Sequence, residues 1–287
     1  MLKYTQSANI YDSVSREIDK VLAQGKTDFQ EFLFFSSKMH GVCIALDGDI
    51  QSCESDEATY HEALVHPAVL LHNNPKHVLI MGGGEGATAR EVLRHPNVEK
   101  VVMVDIDREF VELCKKLIPN WGQEAFSDPR LEVVYCDIKA YLETHDQHFD
   151  VVIGDLVDVH DWNSPVAALY GKTFYSLLKA HMAEGSILAT QGGPMVPYDM
   201  DGHNRIRQTL LDCFKSVASY GIVVPSFYHL WGFIVASDVT LDVSFRHLIS
   251  HFSDKIENMK VKIEATGAET LATAFILPNS ITSKIRY

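Results

Sequence analysis

Residues 78–87 read VLIMGGGEGA: four apolar residues run straight into a glycine-rich turn. A continuous apolar run of this length reads as a strand buried on both faces, and a G-x-G-x-G turn after it belongs at the mouth of a nucleotide site. The helix that such a turn opens follows as TAREVLR (88–94) and stops before Pro96. Downstream the alternation continues. VVMVD (101–105) is a second strand and 108–117 a second helix, closed by Pro119. Strands at 131–134, 151–153 and 187–189 follow, with helices near 138–144, 172–182 and 202–215 and further strands at 222–224, 232–236 and 273–276. Such alternation predicts an α/β fold with a mostly parallel sheet and helices on both faces. Ligands of these sheets bind outside the carboxyl ends of the strands. The polar residues that close the strands are therefore the candidate site.

Upstream the texture differs. FQEFLFF (29–35) and VCIAL (42–46) are strand-like, and Asp47, Gly48 and Asp49 ahead of Ile50 are a hairpin turn signal. A small antiparallel β unit over residues 1–60 is predicted, ahead of an α/β unit over 61–287. Residues 57–72 read as a helix interrupted by Pro67. The 287 residues carry 38 acidic and 25 basic side chains, a net charge of −13. That field repels nucleic acid and anionic membrane and favours small cations in any cleft. No apolar run is long enough for a membrane span, and the first residues lack the layout of a secretory signal. Five cysteines, an odd number without a C-x-x-C pair, argue against a disulfide framework, so a reduced, cytoplasmic, metal-free protein is expected.

The acid in the glycine loop decides the ligand's charge. Backbone N–H groups at a helix start attract pyrophosphate, which Glu85 would repel. The same carboxylate suits an ammonium or a sulfonium, so a cationic nucleoside without phosphates is preferred over NAD. Asp105, 21 residues beyond Gly84, closes the second strand, where a carboxylate accepts ribose hydroxyls; Asp107 is the local competitor. Asp137 follows the third strand and reads either as an adenine contact or as the N-cap of the next helix. Asp155 abuts the fourth strand with Asp158 close behind, although Asp158, Asp161 and Asn163 also suit a solvated loop. Four acids converging on one sheet edge are costly unless a cation neutralises them.

These motifs form a series. LDGDIQ (46–51), DE (56–57), YHE (60–62), GGGEG (82–86), VDID (104–107), GDLVD (154–158), TQG (190–192) and FILP (275–278) occur in that order. In this series the chain resembles the spermidine synthase family, the polyamine aminopropyltransferases, from about residue 29 to residue 278. The resemblance implies a small N-terminal antiparallel β domain followed by a Rossmann-like, methyltransferase-type domain. It implies decarboxylated S-adenosylmethionine as donor, a co-substrate with no separate cofactor, and methylthioadenosine as co-product. Donor contacts would fall on Gln30, Gln51, Gly82, Gly84, Glu85, Asp105, Ile106, Asp137 and Ile138. Acceptor contacts would fall on Tyr60, His61, Asp155, Asp158, Gln191, Phe227 and Trp231, with Asp155 and Tyr60 catalytic. Glu85 stands where the family usually has aspartate and Asp105 where it usually has glutamate, so each reaches differently.

An alkyl amine, with a pKa of about 10.4, must lose a proton before attacking the carbon beside a sulfonium. Asp155, with Tyr60 or a water, is expected to take it. An ordinary aspartate, with a pKa of about 3.9, is a weak base, so positioning and exclusion of water must supply much of the rate. Putrescine-using relatives usually carry a tyrosine-proline-serine-glycine run where this chain has PSFYHLWGF (225–233). With GDLVD and TQGGP (190–194), this resembles the branch holding thermospermine synthases and agmatine-using enzymes, so agmatine or spermidine is expected over putrescine. Phe227, Tyr228, His229 and Trp231 are expected to line the acceptor channel, and Cys136 to pack beside the adenine. His66, His72 and His77 lack ligand spacing and are expected to hold no metal. FLFF (32–35) could be half of a sheet shared within a homodimer or homotetramer. The competing readings are an S-adenosylmethionine methyltransferase on the same fold, whose carboxylated donor Glu85 and Asp155 would disfavour, an NAD-dependent dehydrogenase, and a non-catalytic polyamine-binding protein.

Overall fold

Alternating apolar residues and an Asp-Gly turn make the first part of the chain a set of hairpins. The computed structural model describes residues 2–7 and 12–285; residues 1, 8–11, 286 and 287, parts of the two predicted units, lie outside the described residues. Strands β1 (Leu2–Ser7) and β2 (Ser13–Ile18) pair antiparallel. Strands β3 (Lys20–Lys26), β4 (Glu31–Ser37), β5 (Gly41–Leu46) and β6 (Asp49–Cys53) form an antiparallel meander. Asp47 and Gly48 both adopt positive φ, 48° and 90°, the backbone that a two-residue Asp-Gly hairpin loop demands. Phe32 and Phe34 pack on Phe110 and Trp121, while Phe35 faces Tyr4 and the thiols of Cys43 and Cys53. The aromatic run is thus buried on both faces of an interior strand within its own chain.

Helix α1 (Glu57–Leu71) runs through Pro67 without the expected interruption. Proline has no N–H to give the carbonyl of residue 63, a loss that usually breaks or kinks a helix. Here the Tyr220 hydroxyl donates to the Ala63 carbonyl at 2.9 Å and replaces the missing bond. The helix is also enclosed on every side, with residues 60–70 all buried, so tertiary packing rather than propensity holds it.

The apolar runs then build one sheet from β7 (His77–Gly82), β8 (Lys100–Asp105), β9 (Leu131–Tyr135), β10 (Phe149–Asp155), β11 (Met182–Pro194), β12 (Ser216–Val224) and β13 (His229–Ser237). Their spatial order is β12-β13-β11-β10-β7-β8-β9, with β13 antiparallel to both neighbours and the other pairs parallel. The connecting helices are α2 (Ala87–Leu93), α3 (Arg108–Leu117), α4 (Pro119–Gly122), α5 (Ile138–Thr144), α6 (Lys172–Ala180) and α7 (Asp201–Leu211), followed by α8 (Phe245–Met259) and α9 (Ala268–Thr273). Val78, Ile80, Val101 and Met103 pack under α1 and α2, while Leu79, Val102 and Val104 pack under α5 and α6, so both faces are covered.

The predicted strand at 273–276 does not form. Thr273 ends α9, and Ala274 accepts a single hydrogen bond from Gly221 N–H (3.0 Å) at the edge of β12. Phe275 instead stacks on Tyr220, ring centroids 4.5 Å apart. One bond and one stacked ring are satisfied by a turn, so no ladder is needed. The order of strands reverses between β7 and β10, and the crevice at that switch point is where an open α/β sheet holds its ligand. Replacing Tyr220 with Phe leaves the Ala63 carbonyl buried and unpaired. A loss of ~1–3 kcal/mol in denaturant unfolding is expected, and an unchanged midpoint would show that the proline-bearing helix needs no such donor.

Candidate active site

The carboxyl ends of β7, β8, β9 and β10, closed over by the β5–β6 hairpin, enclose a cleft of about 540 Å³. Gly82 leaves β7 with φ +79°, and a Cβ there would strike the Asp155 carbonyl on the adjacent strand. A Cβ on Gly84 would stand 2.9 Å from Asp105 Oδ2. Absence of side chains at these two positions lets the β10 backbone and the Asp105 carboxylate approach the loop.

Asp155 ends β10 opposite Gly82. Its Oδ1 accepts from the Tyr60 hydroxyl at 3.3 Å and its Oδ2 from the Thr88 hydroxyl at 2.5 Å, so α1 and α2 fix both oxygens. Tyr60 sits against Phe227 and Phe233, ring centroids 5.8 and 5.4 Å away. Burial, then the charges of Asp155 and Asp158, push its phenol well above the usual range, so it is a donor at neutral pH. Thr88 escaped the sequence reading because nothing in a helix start marks a threonine as partner of a strand-end aspartate 67 residues away.

Asp105 and Asp107 both line the cleft, but Asp107 is committed to the scaffold. Asp107 caps α3 and is saturated by Phe110 N–H (3.0 Å), the Thr27 hydroxyl (2.6 Å) and the Gln30 amide (2.9 Å). Asp105 accepts Asp107 N–H at 2.8 Å. Burial carries its pKa up to about 6, with the charges of Asp107 and Asp155 adding and backbone N–H bonds opposing. Asp137 is the N-cap: one oxygen caps α5 through Lys139 and Ala140 N–H (2.7 and 3.1 Å), while the residue also lines the cleft. Gln51, Ile106, Ile138, Cys136, Phe227 and Trp231 also line it.

Asp158 stands on the loop after β10. Loss of surrounding water, with Asp49 adding, lifts its pKa to about 6 against the opposing pull of His160 and Gln191. Gln191, expected as an acceptor contact, lies behind the wall rather than on it. It is 2 % exposed and donates to the Tyr170 hydroxyl (3.0 Å) and the Leu156 carbonyl (3.3 Å), bracing the loop from beneath. Tyr228 and His229 do not line the cleft; Tyr228 is 46 % exposed and lies over Arg16. His160, unmarked in the sequence, ties the loop to the hairpin through Asp49 at 3.1 Å.

Glu85 brings the last acid. Its Oε2 is buried without a hydrogen-bond partner and lies 3.6 Å from His61 Nε2. Burial carries the Glu85 pKa up to about 7, with Asp155 and Glu57 adding and His61 and the Ser52 hydroxyl opposing. Burial disfavours a charge on His61, yet the Glu57 bond and the charges of Asp155, Glu57 and Glu85 raise it to about 9. Behind this wall Glu62, His66 and Glu91 bring ligating atoms within 4.8 Å of one another. That set is already neutralised: Arg90 and Arg94 hold Glu91 at 2.7 and 3.1 Å, and backbone N–H groups of 264–266 hold Glu62.

Three cleft acids thus titrate near neutral pH, and a cation must lower each pKa on entering. Protons are therefore released on binding when the pH lies near 6–7 and not well above it. A dicationic nucleoside titrated calorimetrically in several buffers at pH 6.5 is expected to expel about one proton and, by the same linkage, to bind on the order of 10²-fold more weakly at pH 5.5 than at 7.5. Equal affinities at the two pH values would remove these acids from ligand binding.

A family model described as "Spermine/spermidine synthase domain" matches residues 57–246, and one described as "Spermidine synthase tetramerisation domain" matches residues 4–54. The chain is 46 % identical over 233 residues to polyamine aminopropyltransferase 2 of Pseudomonas aeruginosa, a match covering 81 % of this chain and 66 % of that protein. It is 38 % identical over 258 residues to the thermospermine synthase ACAULIS5 of Arabidopsis thaliana, covering 89 % and 76 %. A spermidine synthase solved with the transition-state analogue AdoDATO superposes with a TM-score of 0.89 at 27 % identity, covering 99 % of this chain and 94 % of that one. Among the described residues no helix is long and apolar enough to cross a membrane.

Proposed function

The chain belongs to the spermine/spermidine synthase family, and on that premise we propose that it is a polyamine aminopropyltransferase acting at the cleft between β7 and β10. The observation that carries this reading is the gathering of Glu85, Asp105, Asp155 and Asp158 around one cavity whose nearest buried cation is the imidazole of His61. Such a site is built for a ligand that brings positive charge, and it disfavours a donor that keeps its carboxylate. Decarboxylated S-adenosylmethionine fits as co-substrate. Asp105 and Gln30 meet its ribose, Asp137 and Ile138 its adenine, and Glu85 its aminopropyl ammonium.

The acceptor amine lies beside Tyr60 and Asp155. Asp155 receives its proton while Thr88 and Tyr60 hold both carboxylate oxygens in place. The freed nitrogen lone pair attacks the methylene bonded to the sulfonium, a carbon–nitrogen bond forms, and the carbon–sulfur pair returns to sulfur as neutral methylthioadenosine. Asp158 and the aromatic pair Phe227–Trp231, ring centroids 4.6 Å apart, hold the acceptor's remaining cationic end. Agmatine, or spermidine giving thermospermine, is the acceptor class we assign ahead of putrescine, on the PSFYHLWGF stretch (225–233) and the plant relative. The N-terminal match supports a homo-oligomer. Five free cysteines suit a reducing cytoplasm.

The substitution Asp155→Asn is expected to lower turnover ~10²–10⁴-fold with donor affinity within ~3-fold of the parent. Near-normal turnover would take Asp155 out of the chemistry. Mass spectrometry of products from the decarboxylated donor and an equimolar mixture of putrescine, agmatine and spermidine is expected to show the two longer acceptors used first. A preference for putrescine would reverse that assignment.

A further inference from the structure

A line of buried charges runs from the interior to the cleft and ends on the unpartnered oxygen of Glu85. Arg90, on α2, grips the Glu57 carboxylate with two bonds of 2.9 Å and is itself fixed by Glu91 (2.7 Å) and the Trp121 carbonyl (2.6 Å). His61 sits one turn along α1 from Glu57. Its Nδ1 lies 2.7 Å from the Glu57 backbone carbonyl and 3.1 Å from the carboxylate. A carbonyl oxygen can only accept, so Nδ1 carries a hydrogen. Nε2 then faces Glu85 Oε2 across 3.6 Å.

That gap has to contain one proton. Without it, an imidazole lone pair would confront a carboxylate in a buried place. With it, the pair is either imidazolium and carboxylate or imidazole and carboxylic acid. Glu57 behind the ring favours the first arrangement, because its negative charge stabilises the imidazolium, and Arg90 keeps that carboxylate aimed at the ring. The signs alternate from Arg90 through Glu57 and His61 to Glu85.

Resting on the aminopropyltransferase reading, we propose that Glu57 and Arg90 are positioning residues that act through His61 to keep Glu85 an open carboxylate ready for a substrate ammonium. An ion pair serving stability alone would be complete at Arg90 and Glu57 and would not need to reach the cleft wall. The other groups that face the His61–Glu85 pair are Tyr60 from α1, Asp155 from β10 and Ser52 from β6. Asp155 raises both pKa values and the Ser52 hydroxyl lowers that of Glu85. Removing the Glu57 charge also relieves Glu85 directly, but His61 is the larger influence on it, so wherever the ring becomes neutral the loss of the imidazolium prevails.

The test is the pH dependence of donor binding together with a nuclear magnetic resonance titration of the His61 ring. In the parent, His61 is expected as the Nδ1–H form, charging with a midpoint near pH 9. In Glu57→Gln that midpoint is expected to fall by about two units or more, so that the ring is neutral near pH 7, and the acid limb of donor affinity then moves up by about one pH unit. Affinity would then drop ~10-fold at pH 7 and little at pH 9. Arg90→Lys, which cannot hold both oxygens, shifts the same limb by less. Should Glu57→Gln not fold, His61→Gln leaves the Arg90–Glu57 pair intact and must move the limb upward. An unmoved His61 midpoint, an unmoved limb, or an affinity loss equal at every pH overturns the proposal. The ring titration needs no ligand, so it is separate from the aminopropyltransferase reading, whose own failure would appear as no donor binding by the parent protein.

Discussion

Mutual repulsion among carboxylates brought to one edge of a parallel sheet is the constraint around which this protein is built. Glu85, Asp105, Asp155 and Asp158 come from the ends of three strands, β7, β8 and β10, and the loops that follow them, yet all border a single cleft. Each is steadied by a different device. Backbone N–H groups serve Asp105, two hydroxyls serve Asp155, a glutamine reached through the loop serves Asp158, and an imidazole serves Glu85. These devices orient the acids without cancelling their charge, which leaves a cationic ligand to complete the neutralisation. The unfinished neutralisation shows in the raised pKa values of three of these carboxylates.

The buried helix α1 is the piece that makes the arrangement possible. It contributes Tyr60 and His61 to the cleft, Glu57 to the charge line, and Glu62 to a cradle of backbone N–H groups at 264–266. A helix with so many obligations cannot shift to accommodate a proline. The bond from Tyr220 to Ala63 shows the sheet adapting to the helix instead. Over the cleft, the loop following β10 is held from below by Tyr170 and Gln191 and from above by the exposed His160–Asp49 pair. The lower contacts are buried or part-buried and the upper one faces solvent, so the side towards the hairpin is the weaker attachment.

Legibility in the sequence followed the range of the signal. Apolar runs such as those of β7, β8 and β10 are local and continuous, and they were readable as strands of a parallel sheet. Asp105 and Asp155 were visible because a strand end is a position in sequence as well as in space. TAFI (273–276) carried the same apolar signal but follows a helix and meets only the rim of the sheet, where a stacked ring takes the place of a ladder. That Tyr4, Phe110 and Trp121 return to cover both faces of FLFF (32–35) within one chain is something no local pattern says. Gln191 sits in a motif beside the cleft, and one step along a strand was enough to turn it behind the wall.

Taken alone, the sequence determined the class of fold, the order of motifs and the sign of charge gathered at the strand ends, since each depends on neighbours along the chain. Only the tertiary structure decided which hydroxyls and which cation meet the acids: Thr88 with Asp155, His61 with Glu85, Arg90 with Glu57. Those pairings join residues on different elements, and Coulomb and hydrogen-bond energies depend on distances of a few ångströms that no spacing in sequence encodes.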